Sequence, residues 1–504
     1  MSDATKRATG DANGWRRVPR FSVLDPAGEP PHSVYSTVYV TDELLIDTAV
    51  VDEEALRSLR ALAGTAGWRL EFEEDRRELA AFASRQTAPR SRGASTTVPV
   101  RLRAERTGER VAATPDAWAL LREVRRSSWG KRGIGLNHVL SIDSLGVNPF
   151  KANPFKANPF KANPFKANPF KANGTVGIDS YAEPGFGGLQ PVTYLGPAPL
   201  GPDPEAGPIV AIFDTGCGKH PWLEDAVNPL LASAAAISMP PDPRGNPDDE
   251  PSLAEPLDGI FDDAAGHGTF IAGIIRQKCP EALILPIRVA DGEGVIIEDD
   301  LLGALGLLVE FMDDRAKEDP ARPNVSVLNL SFSYYHETPD DPDTVSEMAK
   351  LLDDVRSRGC VVVCSAGNDA TARPTYPAAI PATDPGRHVS VGALNPSDRS
   401  VALFSNIGDW VRVYAPGVSV MSTLPIGFEG GLQSGTSNPE LGLLRQTLDA
   451  DDFRGGFGVW SGTSFAAPVV AGLVAARIAA GESPEAATAS VVKELEEEDQ
   501  SRMG

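Results

Sequence analysis

The 504-residue chain has only four cysteines, no excess of basic residues and no long apolar run. Each lack excludes something. Cys217, Cys279, Cys360 and Cys364 are too few and too irregularly spaced for a disulfide framework. Cys360 and Cys364 fall in CVVVC, an expected buried strand, where positions four apart share a face but stand about 13 Å apart, too far to bond. No stretch approaches the roughly 18 apolar residues of a membrane span. The start, MSDATKRATGDANGWRRVPR, lacks the apolar core of a secretory signal. A reduced, cytoplasmic chain is expected. The net charge is −22, unevenly placed. Residues 1–146 carry 22 Lys+Arg against 20 Asp+Glu, the next stretch adds five lysines, and residues from 174 onward carry 20 basic and 49 acidic side chains. Nucleic acid is therefore not an expected partner. Attraction between a front half at +2 and a body at −29 is expected, screened in ordinary salt beyond about 8 to 10 Å.

What is present begins with a repeat. Asn148 to Asn173 reads as five copies of NPFKA and a closing Asn. A pentapeptide solenoid would need a large apolar residue at a fixed inward corner, but Pro stands there and Phe comes one place late. Proline at every fifth position also blocks a continuous helix or central strand. Turns or polyproline II are expected, spanning up to roughly 80 Å if fully extended, as a spacer or as an array of Phe and Lys that docks a partner. A proteolytic cut in the repeats or in the following Gly/Pro-rich connector would release whatever precedes them.

The chain divides into a flexible tail (1–30), a front domain (31–146), the repeats (147–173), a connector (174–207), a larger unit (208–490) and a polar tail (491–504). In the front domain STVYVTDELLIDTAV, WRLEFEE, TTVPVRLRAE and NHVLSID read as strands. DEEALRSLRALAGTAG and TPDAWALLREVRR, the latter with a Thr or Pro start signal, read as helices. The order β-α-β-β-α-β is the ferredoxin-like α+β plan. In the larger unit, buried apolar runs such as GPIVAIFDTG, ALILPIRVA, NVSVLNLSF, CVVVCSAGN and HVSVGA alternate with helical patterns. That predicts an α/β, doubly wound and mostly parallel sheet, with active residues beyond the carboxyl ends of its strands.

Four stretches converge there. IVAIFDTG puts Asp214 at a strand's end, GHGTFIAG puts His267 at a helix start, CSAGND puts Asn368 after a buried strand, and SGTSFAAPVVAG puts Ser464 at a helix start. A serine hydroxyl attacks only when a base takes its proton, and an imidazole held by a carboxylate can take it and return it to a leaving amine. An asparagine amide and a backbone N–H at a helix start can stabilise the resulting oxyanion. The base must be uncharged, so activity is expected to rise with pH through a single step.

These residues and their flanks resemble the subtilisin-like serine peptidases over roughly residues 208–490, in that family's chain order Asp, His, Ser. By that resemblance Asp214 orients, His267 is general base and acid, Ser464 attacks and Asn368 stabilises the oxyanion. It also implies that polypeptide substrate binds as an added strand on Leu330, Ser331, Phe332 and Ser333, opposite a segment near Val295 to Glu298, and beside Ser365, Ala366 and Gly367. The family usually has glycine where this chain has Ser333, which implies a reshaped pocket for the residue before the scissile bond. No metal or cofactor is expected for the chemistry. Calcium sites occur in the family, but no ligand set maps onto this sequence. A front domain of this plan often assists folding and then inhibits from the cleft; alternatively it is a binding module with its own partner. The competing reading is an adaptor that docks partners through NPFKA, with the peptidase fold incidental. Among other candidates, Ser437 in QSGTSNPE reads as a loop serine, His220 as a neighbour of Asp214 without a catalytic role, and Cys217 as a small packing residue. His32, His138, His336 and His388 have no motif around them. The insertion Ile426 to Gly458 departs from compact members of the family.

Overall fold

The structure is a computed structural model describing residues 19–24, 34–72, 95–105, 113–127, 133–143, 178–182, 184–203, 206–239, 245–253, 259–319, 323–338 and 346–503. The NPFKA repeats and His32 lie outside the described residues.

The front domain has the expected order, with strands Thr37–Asp47, Trp68–Phe72, Thr97–Ala104 and Ile134–Ile142 and helices Glu53–Thr65 and Ala117–Arg126. Local chemistry sets the helix starts. Asp52 accepts a hydrogen bond from the Ala55 N–H at 2.8 Å, with Glu53 and Glu54 in the first turn of its helix. Asp116, rather than the expected Thr or Pro, caps the second helix by accepting from the Ala119 N–H. The strands pair antiparallel, with Thr37–Asp47 between Ile134–Ile142 and Thr97–Ala104, and Trp68–Phe72 at the far edge. Leu44, Ile46, Leu56, Leu59, Val100 and Leu121 form the core of this domain. The expected tail contributes a strand too. Phe21–Leu24 pairs antiparallel with Thr37–Val40 and buries Leu24 in the front domain's core.

The body holds a six-stranded, all-parallel sheet in the order Val413–Pro416, His388–Leu394, Val361–Ser365, Val325–Leu330, Ile209–Asp214, Leu283–Arg288. The chain runs outward from Ile209–Asp214 in both directions, so the topological switch lies beside Asp214. Helices His267–Lys278, Glu298–Glu318, Ser346–Ser357 and Thr463–Ala479 join the layers. Two boundaries differ from expectation. The connector adds a strand, Gln190–Pro191, to a small sheet with Phe457–Trp460 and Val420–Thr423. The polar tail from 491 is the continuation of helix Pro484–Met503, which buries Val491, Val492 and Leu495 on one face and leaves Glu494, Glu496, Glu497 and Glu498 exposed.

Candidate active site

Asp214 closes its strand and His267 opens its helix, and His267 Nδ1 stands 2.7 Å from Asp214 Oδ1 with both side chains fully buried. The flanking residues of each motif make that approach possible. Gly266 turns into the helix at φ +77°, and a Cβ on Gly268 would fall 2.1 Å from the Gly216 carbonyl oxygen. Thr215 accepts the Gly268 N–H at 2.9 Å while its own N–H donates to Asp214 Oδ1 at 2.9 Å. The carboxylate is thereby aimed and the helix start tied to it. Buried Asp248 adds a second tie, accepting from the Thr269 N–H at 2.9 Å. The rings of Phe465 and Trp460 pack against the imidazole, with centroids 5.1 and 5.6 Å away. His267 Nε2 is buried and has no hydrogen-bond partner among the described residues.

Ser464 lies in the first turn of Thr463–Ala479 and is fully buried. Its Oγ donates to the Ser331 carbonyl at 3.0 Å rather than to His267. Asn368 is fixed through its oxygen, which accepts from the Thr463 N–H at 3.0 Å and the Thr463 hydroxyl at 2.9 Å. Its Nδ2 is left buried without a partner among the described residues, a donor with nothing yet to donate to. Asn406 steadies the loop that carries it, with Nδ2 donating to the Ala366 carbonyl at 2.8 Å and Oδ1 accepting from the Asp369 N–H at 3.0 Å.

The cleft is filled by the front domain. Its last strand, Ile134–Ile142, runs antiparallel between Val295–Ile297 on one side and Phe332–Ser333 on the other. Ile142 N–H donates to the Gly294 carbonyl at 3.0 Å and Asp143 N–H to the Ser331 carbonyl at 3.1 Å. The Asp143 carbonyl then accepts from the Ser464 N–H at 3.0 Å. One Asp143 carboxylate oxygen takes a hydrogen bond from Ser333 Oγ at 2.7 Å and the other from Ser365 Oγ at 2.6 Å. Leu140 and Ile142 are buried against the body's own core. The structure thus brings Ser331, Phe332, Ser333 and Ser365 to the docked strand. Leu330, Ala366 and Gly367 lie behind them, bound within the body: Ala366 N–H donates to the Val391 carbonyl at 2.9 Å and Gly367 N–H to Thr463 Oγ1 at 3.1 Å.

A second polar cluster fastens the same strand. His138 Nδ1 is 2.6 Å from Glu298 and its Nε2 2.7 Å from Glu337, and Arg125 donates to Glu337 at 2.6 Å. Burial alone would push the His138 imidazole down, but the carboxylates of Glu298 and Glu337 outweigh it and hold the group up at about 10. His138, His336 and Glu337 bring possible metal-ligand atoms within 4.8 Å of one another. With both His138 nitrogens protonated and given to carboxylates, that ring has no lone pair for a metal, and the cluster works as an ion pair.

The remaining candidates stand apart from this chemistry. Ser437 lies in an exposed hairpin, Ser437–Glu440 with Leu443–Gln446, rather than in a loop. His220 is buried, accepts the Trp222 N–H and is pushed down to about 4 by burial. Burial pushes the Cys217 thiol well up, with Asp248 adding to the rise, so it stays protonated. Asp143, Asp248, Asn406 and the His138 cluster were not singled out from sequence. Only Asp143 carried a signal, as a lone acid closing the last apolar strand of the front domain.

Comparison with known proteins supplies the family. A model described as the subtilase family, peptidase S8, matches residues 205–498. Subtilisin NAT from Bacillus subtilis subsp. natto is 27% identical over 245 residues, 46% of this chain and 49% of that protein. The intracellular serine protease of Paenibacillus polymyxa is 26% identical over 281 residues, 53% of this chain and 65% of that protein. Fervidolysin from Fervidobacterium pennivorans is 30% identical over 291 residues, 53% of this chain and 34% of that protein. The match spans about half the length of subtilisin NAT and under two thirds of the other two. With Asp214, His267, Asn368 and Ser464 gathered at one end of a parallel sheet and all inside the matched span, the chain belongs to the subtilase family of serine peptidases.

Proposed function

We propose that the chain is a serine endopeptidase that acts on polypeptides and is held inactive by its own front domain. The observation that supports this best is the strand Ile134–Ile142 lying antiparallel between two body segments, with the Asp143 carbonyl 3.0 Å from the Ser464 N–H. A rotamer change turns Ser464 Oγ from the Ser331 carbonyl toward His267 Nε2. The hydroxyl then bonds to the substrate's carbonyl carbon while its proton passes to the imidazole, and Asp214 stabilises the imidazolium. The oxyanion takes the Ser464 N–H and the free Asn368 Nδ2. As the C–N bond breaks, the proton goes to the leaving amine. Water hydrolyses the ester by the same route and restores Ser464.

In this reading the front domain presents the peptide bond after Asp143 to Ser464, so self-cleavage falls ahead of the repeats rather than within them. The front domain then stays as an inhibitor until it dissociates. A cytoplasmic site of action fits four free thiols and a relative named as an intracellular protease. Among the described residues, no helix is long and apolar enough to cross a membrane.

Labelling with a serine-directed fluorophosphonate is the direct test of the nucleophile. The label is expected on Ser464. Labelling on Ser437, or none on protein whose cleft has been freed, overturns the reading.

Docking is expected to loosen as pH rises. Asp143 goes from 3.8 to about 7 on docking, pushed up by burial against the pull of the Ser365 and Ser333 hydroxyls. Its contribution is full below 3.8 and is lost as pH passes 7. His138 goes from 6.5 to about 10, so its contribution is full below 6.5 and is lost as pH passes 10. Inhibition measured on the cleaved but associated protein should weaken from pH 5 to 10, in the sense both shifts give. Tighter inhibition at alkaline pH contradicts the docked geometry. Salt should matter little, because the charged contacts at Glu337 and His138 are buried and escape screening.

A further inference from the structure

We infer that this peptidase selects aspartate as the residue before the scissile bond, reading its carboxylate with the hydroxyls of Ser333 and Ser365. The inference rests on the endopeptidase reading above and adds the substrate class.

The pocket is built for one side chain length and one kind of group. Asp143 is 6% exposed, Ser333 5% and Ser365 0%, so water does not compete for these hydrogen bonds. Each carboxylate oxygen receives one hydroxyl, at 2.7 and 2.6 Å. Both donors are fixed by backbone that is itself in strands, Ser333 beside the docked strand and Ser365 at the end of a central one. Ser333 is the position where the resemblance implies glycine, and it is this extra hydroxyl that meets the first carboxylate oxygen. A Cβ on Gly367 would lie 3.3 Å from Ser333 Oγ, so the Gly367 backbone passes close beside the hydroxyl. Glutamate, one methylene longer, would carry its carboxylate past the two hydroxyl positions that the Asp143 oxygens meet. An apolar residue would leave Ser333 Oγ buried without its partner and Ser365 Oγ with only the Leu330 carbonyl at 3.5 Å, and buried polar groups left poorly paired discriminate strongly.

Among the described residues no cation faces the carboxylate. Burial pushes Asp143 up to about 7, the two serine hydroxyls pull it back and the Asp369 charge adds to the rise. Selection is therefore by hydrogen bonding rather than by ion pairing. Asparagine, which has the same shape and which rotatable hydroxyls can also satisfy, is expected to rank second. Beyond the aspartate, Leu140 and Ile142 sink into the body's core while Ser141 stays partly exposed, which gives Leu-x-Ile-Asp as the sequence that fits the cleft.

The experiment uses the full chain and a set of internally quenched peptides built on Leu-Ser-Ile-X, with X as Asp, Asn, Glu, Ala or Leu. In parallel, the rate of self-cleavage is followed for the wild type, Asp143→Asn and Asp143→Leu. Aspartate is expected to exceed Ala, Leu and Glu in kcat/KM by about tenfold or more. Ser333→Gly is expected to shrink the Asp-to-Leu ratio by about tenfold, with Ser365→Ala as a second variant reading the other hydroxyl. If the chain cuts itself but turns over no peptide, the Asp143→Leu rate decides, and a tenfold slowing supports the inference. Equal cleavage after Asp and Leu, or an Asp143→Leu chain processed as fast as the wild type, overturns it while leaving the endopeptidase intact. A wild-type chain that cleaves neither itself nor any peptide overturns the endopeptidase reading itself.

Discussion

A Ser464→Ala chain is expected to fold, to remain full-length and to lose about a million-fold in kcat, the size of loss known when the nucleophile alone is removed from subtilisin. Folding should survive because Ser464 Oγ donates only to the Ser331 carbonyl, and the contacts that hold its helix in place belong to neighbours. Phe465, Ala466 and Ala467 are fully buried, and Thr463 ties the helix start to Asn368. The Ser464 N–H that holds the Asp143 carbonyl is also kept, so the front domain should stay docked. Electrophoresis shows whether the chain is cut, and a peptide assay gives the rate. A Ser464→Ala chain that is still processed, or that retains more than a trace of turnover, would place the nucleophile elsewhere.

Asn368→Ala is expected to lower kcat by about 10²–10³ with little change in KM, the cost of one oxyanion donor in subtilisin itself. The geometry explains why the loss should fall on kcat. Asn368 Oδ1 is held by two groups of Thr463, while Nδ2 has no partner among the described residues with the carbonyl of Asp143 in place. A donor that stays unsatisfied beside a ground-state carbonyl and is satisfied as charge develops stabilises the transition state selectively. A variant with near-normal kcat would mean that another group holds the oxyanion.

Much of this site was legible in the chain because each part is a local pattern. Asp214 follows an unbroken apolar run, His267 and Ser464 open helices of small residues, and Asn368 follows CVVVC. Every one is a strand end or helix start that sequence periodicity marks. The front domain was legible for the same reason, since its strands alternate and its helices repeat at 3.6. What joins the two units was legible only through the family resemblance, which implies an added strand on Leu330 to Ser333 opposite Val295 to Glu298. Phe332–Ser333 and Gln190–Pro191 are two-residue strands whose partners lie far away in the chain, and no local period announces them. His138 had no motif because its partners, Glu298 and Glu337, are 160 and 199 residues away. Asp248 was hidden likewise, in a loop distant from the helix start it supports. Only the part of helix Pro484–Met503 beyond residue 490 reads as a tail, because a few buried apolar residues among many acids make a weak periodic signal.

The charge asymmetry pointed to docking but not to its chemistry. The front domain is held chiefly by a strand in the cleft, a buried His138 between two acids and an aspartate between two serines, with individual ion pairs beside them rather than the bulk charge difference. Lys350 of the body even pairs with Asp47 of the front domain, against the sign of the bulk attraction.

The most direct measurement is the mass of the products formed when purified full-length protein is left to process itself, with Ser464→Ala alongside. The account predicts two fragments whose masses place the break immediately after Asp143 in the wild type, and an intact Ser464→Ala chain. A break elsewhere, or the same break in both proteins, would contradict it.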